Sequence, residues 1–149
     1  MNKNEFKGER IAIIILSLLL FLASLTQSIY SNGSYPEEKF YGFMALLLGW
    51  ADIFGAGISW MANPFLFLCW VFLLSNTIRN AMVSGFLAVC FSLSFLLFST
   101  IYKDEAGNKG PIVAREIGYW LWVSGCILSF IGSLNLFQKI KEQQKKRQA

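Results

Sequence analysis

Few side chains in this sequence could do chemistry, and the foremost is Asp52, the one carboxylate inside the apolar run GWADIFGAGISW at residues 49–60. At the centre of a bilayer an acid costs roughly 2.5–3.5 kcal/mol on insertion scales, so an acid kept there is a functional candidate that could carry a proton or an ion. If the run lies shallow instead, Asp52 meets water or caps a helix break near Gly55 and Gly57. Asn63 and Arg79 complete the candidate polar set: Asn63 precedes Pro64 in a helix-starting pair, and Arg79 is the only other charge outside the charged clusters. No catalytic, cofactor or metal-binding residue is assigned. The absence of histidine removes the usual zinc sites and histidine-activated nucleophiles. Cys69, Cys90 and Cys126 lie singly in apolar segments without a C-x-x-C spacing and read as small buried hydrophobes.

The elements that must position these residues are apolar helices. Of 149 residues, 55% are hydrophobic and only 15% charged, against about a quarter charged in soluble domains. The charges also segregate, filling 3–10, 37–39, 103–116 and 139–147. That is a bilayer pattern. Five apolar segments follow, at about 11–30, 40–60, 64–78, 81–102 and 117–138, with a basic tail over 139–149 continuing the last helix. About 20 apolar residues cross a hydrocarbon core. The first run competes with a cleaved signal peptide, but it continues long enough to span. Residues 40–78 form a helical hairpin jointed at 61–63, whose second arm, at about 1.5 Å per residue, reaches only about 22 Å.

Charge chooses the number of crossings. With five, Lys and Arg divide six against seven between the two sides, which is no bias. With four crossings and one arm of the 40–78 hairpin re-entrant or partly inserted, three basic residues before residue 11, Arg79 and five after residue 138 share one side, against Lys39, Lys103, Lys109 and Arg115 on the other. The positive-inside rule then puts both termini in the cytoplasm and residues 31–39 and 103–116 outside. The expected fold is an all-α membrane domain of four transmembrane helices plus that short arm. Trp60, Trp120 and Trp122 read as interface anchors, with Trp50 and Trp70 packed in the hairpin.

Small residues recur at helical spacing and should let helix backbones approach closely. In the second segment these are Gly42, Ala45, Gly49, Ala56 and Ser59, on one face with Asp52; Gly85 leads the face of the fourth segment, and Gly125, Ser129 and Gly132 that of the fifth. The basic residues flank apolar runs without aromatic interleaving, which excludes nucleic acid as a partner. The functional expectation is a small, non-enzymatic, multi-pass protein of the bacterial cytoplasmic membrane, in contact with membrane lipid and acting by helix packing with itself or a membrane-protein partner. The alternative is a proton- or ion-coupled transporter or channel subunit that uses Asp52.

Overall fold

The computed structural model describes residues 6–33, 39–102 and 108–148. Lys3 and Lys103 of the charge count lie outside the described residues. The chain is mostly helical, at 77%, and four helices are long and apolar enough to cross a membrane. In chain order these are α1 (Lys7–Leu25), α3 (Ala56–Leu74, opening as a 3₁₀ helix over Ala56–Met61), α4 (Ile78–Ser94 with a last 3₁₀ turn Phe95–Leu97) and α5 (Ile117–Gln148). The short α2 (Gly42–Leu48, continued as a 3₁₀ helix over Gly49–Asp52) precedes α3. Nineteen residues of helix measure roughly 29 Å.

The four long helices alternate in direction, so the start of α1, the α3–α4 turn and the C-terminal part of α5 meet at one end. The Lys139–Glu9 ion pair joins α5 to α1 there at 2.7 Å, and the Arg10 guanidinium donates to the Leu73 carbonyl at 2.9 Å. A basic side chain is the natural cap for the orphaned carbonyls at a helix C-terminus. At the other end Arg115 does the same for α4, donating to Phe98 O at 2.6 Å while lying over the Phe95 ring. In cross-section α1 packs on α5, α5 on α4 and α4 on α3, with α3 closing back on α1 more thinly. Apolar clusters follow one another along the axis: Leu73, Ile78, Ala81 and Leu136, then Phe21, Leu66, Ala88 and Cys126, then Phe95, Ile112, Tyr119 and Val123.

Three expectations need correction. The fold is not all-α, because strands cap one end: β1 (Ser28–Ser31) pairs antiparallel with β2 (Phe40–Tyr41) and β5 (Ala114–Arg115), and β3 (Thr100–Tyr102) with β4 (Lys109–Pro111). Helices α1 and α4 therefore stop short of residues 30 and 102, and their last residues feed the sheets. The hairpin is also jointed elsewhere. Its turn is residues 53–55, so the short arm is the first one, and the second runs unbroken through Asn63 and Pro64. Gly55, at φ −126° and ψ −138°, leaves the helical region, whereas Pro64 falls in the first α-turn, where no intrahelical partner awaits its missing N–H. Finally, α3 and α4 are separated by Ser75, Asn76 and Thr77, with Asn76 left-handed at φ 61°, and Arg79 and Asn80 belong to the first turn of α4.

Candidate functional site

The half of the bundle nearest the termini is closed. Gly85 faces the Phe130 Cα, where an added Cβ would stand 3.0 Å away; Gly125 faces the Ser17 carbonyl at 3.3 Å, and Gly132 faces Ile13. Ser129 Oγ donates to Ser17 Oγ at 2.7 Å and Ser17 Oγ to the Gly125 carbonyl at 3.0 Å. The Trp70 indole N–H points at both hydroxyls, at 3.1 and 3.3 Å, and Ser133 donates to the Ser129 carbonyl. Every hydroxyl in this layer has a partner, as buried polar groups require. Trp70 packs edge-on against Phe21 with ring centroids 5.9 Å apart.

Above Phe21, toward the strand end, the bundle opens into a cavity of about 670 Å³. That lies within the usual range for small-molecule sites. Its roof is the segment from Gly42 to Asp52, clamped at both ends. At the first, the Gly42 N–H donates to Gln27 O at 2.9 Å, and Gly42 sits so close to the Ser24 carbonyl that any Cβ would collide with it. At the second, Trp60 covers Gly49 and its indole N–H donates to Leu46 O at 2.8 Å. Gly57 rests on the Gly49 and Asp52 carbonyls, an approach that only glycine allows. Between the clamps, Ala45, Leu46 and Leu48 arch over the cavity. Aromatic rings from every long helix form the walls and floor: Phe21, Trp60, Phe95, Tyr119 and Trp122.

All six residues of the small face in the second segment, Gly42, Ala45, Gly49, Asp52, Ala56 and Ser59, line this one cavity, although the helix breaks between them. The 3₁₀ turns on either side of residues 53–55 fold the face back on itself. Asp52 is partly buried, and its Oδ1 lies against Gly55 and accepts no hydrogen bond among the described residues. It therefore does not cap the break; the Gly55 N–H goes to the Asp52 backbone carbonyl at 2.9 Å. Asn63 joins Asp52 in the wall, buried, with its amide oxygen accepting the Trp122 indole N–H at 3.0 Å. Arg79 does not. It lies exposed at the start of α4, beside Ile78 of the apolar cluster at the termini end.

The aromatic walls had no clear signal in the sequence. Trp122, expected at an interface, turns inward to Asn63, whereas Trp50, expected in the hairpin, is 57% exposed. Trp70 is packed as expected, and Trp120 is 49% exposed. The pairing of Ser17 with Ser129 could have been suspected from two serine-bearing faces on the first and last segments, since such hydroxyls find partners across helices in apolar surroundings. Among the described residues no three His, Cys, Asp or Glu side chains cluster to hold a metal.

No protein-family model, curated protein or solved structure matches this chain. The site is legible through its geometry alone. A clamped roof, aromatic walls, hydroxyls bonded to their own helical turns (Ser24 to Phe21 O, Ser59 to Ala56 O) and a single carboxylate make a receptacle, with no nucleophile–base pair among them.

Proposed function

We propose that this is a non-enzymatic protein of the bacterial cytoplasmic membrane, crossing it four times with both termini cytoplasmic, and that it works by holding an apolar or amphipathic guest in the cavity beneath α2. The cavity carries this reading. The short Gly42–Asp52 arm is then re-entrant or partly inserted from the outer side, packed on α1 and on the start of α3, with Phe54 of its turn fully exposed. Irregular backbone at membrane depth is tolerated when protein covers it. The small faces that could have met a partner are spent inside the chain, on Phe130, Ser17 and Ile13. What remains for lipid, a second copy or a partner helix is the exposed apolar surface, including Leu19, Leu22, Val71, Phe86 and Ile131.

A transporter reading is favoured by one observation, the carboxylate in the cavity wall. Against it stands the hydrogen-bonded Ser17–Ser129–Trp70 layer, which packs the bundle between the cavity and the termini end. Retention of a guest is measurable by native mass spectrometry of the full chain released from mild detergent. Co-purifying apolar adducts are expected on the parent and lost from Ala45→Trp, whose side chain fills the cavity. Equal adduct retention by a folded Ala45→Trp would remove the reading. Orientation is tested by cysteines placed at Asn108 and Gln148 in a chain lacking the native three. An impermeant maleimide should reach only the first from outside intact cells, and equal labelling of both defeats the four-span topology.

A further inference from the structure

The charge and the rings of the cavity together define its guest more narrowly. Asp52 is the only charged residue in the wall among the described residues, and neither Lys nor Arg lines it to balance a phosphate, sulfate or carboxylate. Arg115 is committed elsewhere, to the Phe98 carbonyl and the Phe95 ring. Oδ1 of the carboxylate is packed against Gly55 and receives no hydrogen bond, so the protein leaves that oxygen unpaired. In the same wall, Trp60 and Trp122 have their indole N–H groups already taken by Leu46 and Asn63; what these rings add to the wall is aromatic carbon. Rings of this kind attract a cation through their quadrupole, most strongly when water is excluded. A hard metal ion would need six or more oxygen ligands, which one carboxylate among apolar side chains does not provide.

We propose that the cavity is a site for an organic cation with an apolar chain, an alkylammonium whose head sits toward Asp52 and the Trp60–Trp122 side and whose chain fills the space between Phe21, Leu25 and Leu46. This rests on the reading of the cavity as a guest site. A quaternary head suits it best, because it asks for no hydrogen bonds that the wall would have to supply. An anionic amphiphile of the same chain length is disfavoured by Asp52, and a neutral one gains only the apolar term. The head could belong to a free amphiphile or to a choline-type lipid. The phosphate of such a lipid would find no cation in the wall, so the free cation is the better fit.

The test is equilibrium binding of dodecyltrimethylammonium, dodecanol and dodecyl sulfate to the full chain in phosphatidylcholine nanodiscs, with empty nanodiscs as the blank. The cation should bind at least about tenfold more tightly than dodecanol, a difference of about 1.4 kcal/mol, and dodecyl sulfate more weakly than either. Asp52→Asn should lower the affinity for the cation to that for dodecanol and leave dodecanol unchanged; Asp52→Glu should keep the preference. Dodecylphosphocholine separates the sources: weaker binding than the trimethylammonium probe supports the free cation, and tighter binding overturns that choice. Equal affinity for dodecyltrimethylammonium and dodecanol in the parent overturns the cation proposal while leaving the cavity an apolar site. If none of the probes binds above the blank, or all bind equally to folded Ala45→Trp, the guest site itself fails.

Discussion

The two halves of the bundle are made from the same kinds of residue, yet one is filled and the other is hollow. Near the termini, Gly85, Gly125 and Gly132 each lie on a long helix running beside another, and each lets a neighbouring backbone or side chain come into contact. Near the strands the stripe is split by the turn at residues 53–55: Gly42, Ala45 and Gly49 lie on the short arm and Ala56 and Ser59 on the 3₁₀ start of α3, and both parts line the one cavity. Gly42 meets Ser24 and Gly49 meets Trp60, and the middle spans a gap. A stripe of small residues brings two helices together only when its helix continues alongside a partner. Where the helix breaks, the same stripe becomes the lining of a cavity.

The contrast breaks hardest at the glycines. Gly85→Leu or Gly125→Leu should destabilise the protein by roughly 1–3 kcal/mol or more, because the new side chain has to separate two packed helices. Leu97→Phe, on a residue 84% exposed, should stay within about 0.5 kcal/mol. Thermal unfolding in one detergent compares them, and similar midpoints for all three would show that the glycine faces are not closed.

Next in size comes the capping pair. Arg10, 5% exposed, donates into the closed half, and Arg10→Met should cost roughly 1.5–3 kcal/mol, the range for a hydrogen bond involving a charged group. Arg115 is the counterpart at the open end and is less buried, so Arg115→Met should lose visibly less. A larger loss at Arg115 would reverse the ranking of the two ends.

Within the closed half, Ser129→Ala removes the hydroxyl shared by Ser17 and Trp70 and should cost about 0.6–1.7 kcal/mol, as interhelical hydrogen bonds do in apolar surroundings. Unchanged unfolding would mean that glycine packing alone holds this layer. The smallest effect belongs to the hollow half. Ala45→Trp should leave stability within about 0.5 kcal/mol of the parent, because the indole enters space that is already there. A loss as large as that of Gly85→Leu would show that the roof has no room beneath it.

Part of the candidate site was legible in the residues themselves. Asp52 stood out because a carboxylate in an apolar run is costly, and its phase with the small residues put it on the inward face, where the cavity is. Asn63 was noticed for the wrong role: it lies in the first turn of the α-helical part of α3 but does not cap it, and its side chain is a buried acceptor for Trp122. Arg79 was noticed for its charge alone, and the fold carries it to the opposite end. The inward turn of Trp122 depends on Asn63, 59 residues away, and no local pattern contains it.

By itself the sequence determined the material and the count: long apolar helices separated by charged clusters, four of them able to span, with the termini at one end. The helices follow from side-chain transfer energies and length, which are properties of each segment alone, and the expected count and the shared side of the termini from the distribution of Lys and Arg along the chain. The tertiary structure decided where the hairpin turns, that strands take the ends of α1 and α4, and which small face closes on a helix and which roofs a cavity. Helix periodicity runs through Asp52, Gly55 and Asn63 without interruption. What breaks it is the clamping of Gly42 on Ser24 and of Gly49 under Trp60, and contacts between residues far apart in the chain have no signature in the order of their neighbours.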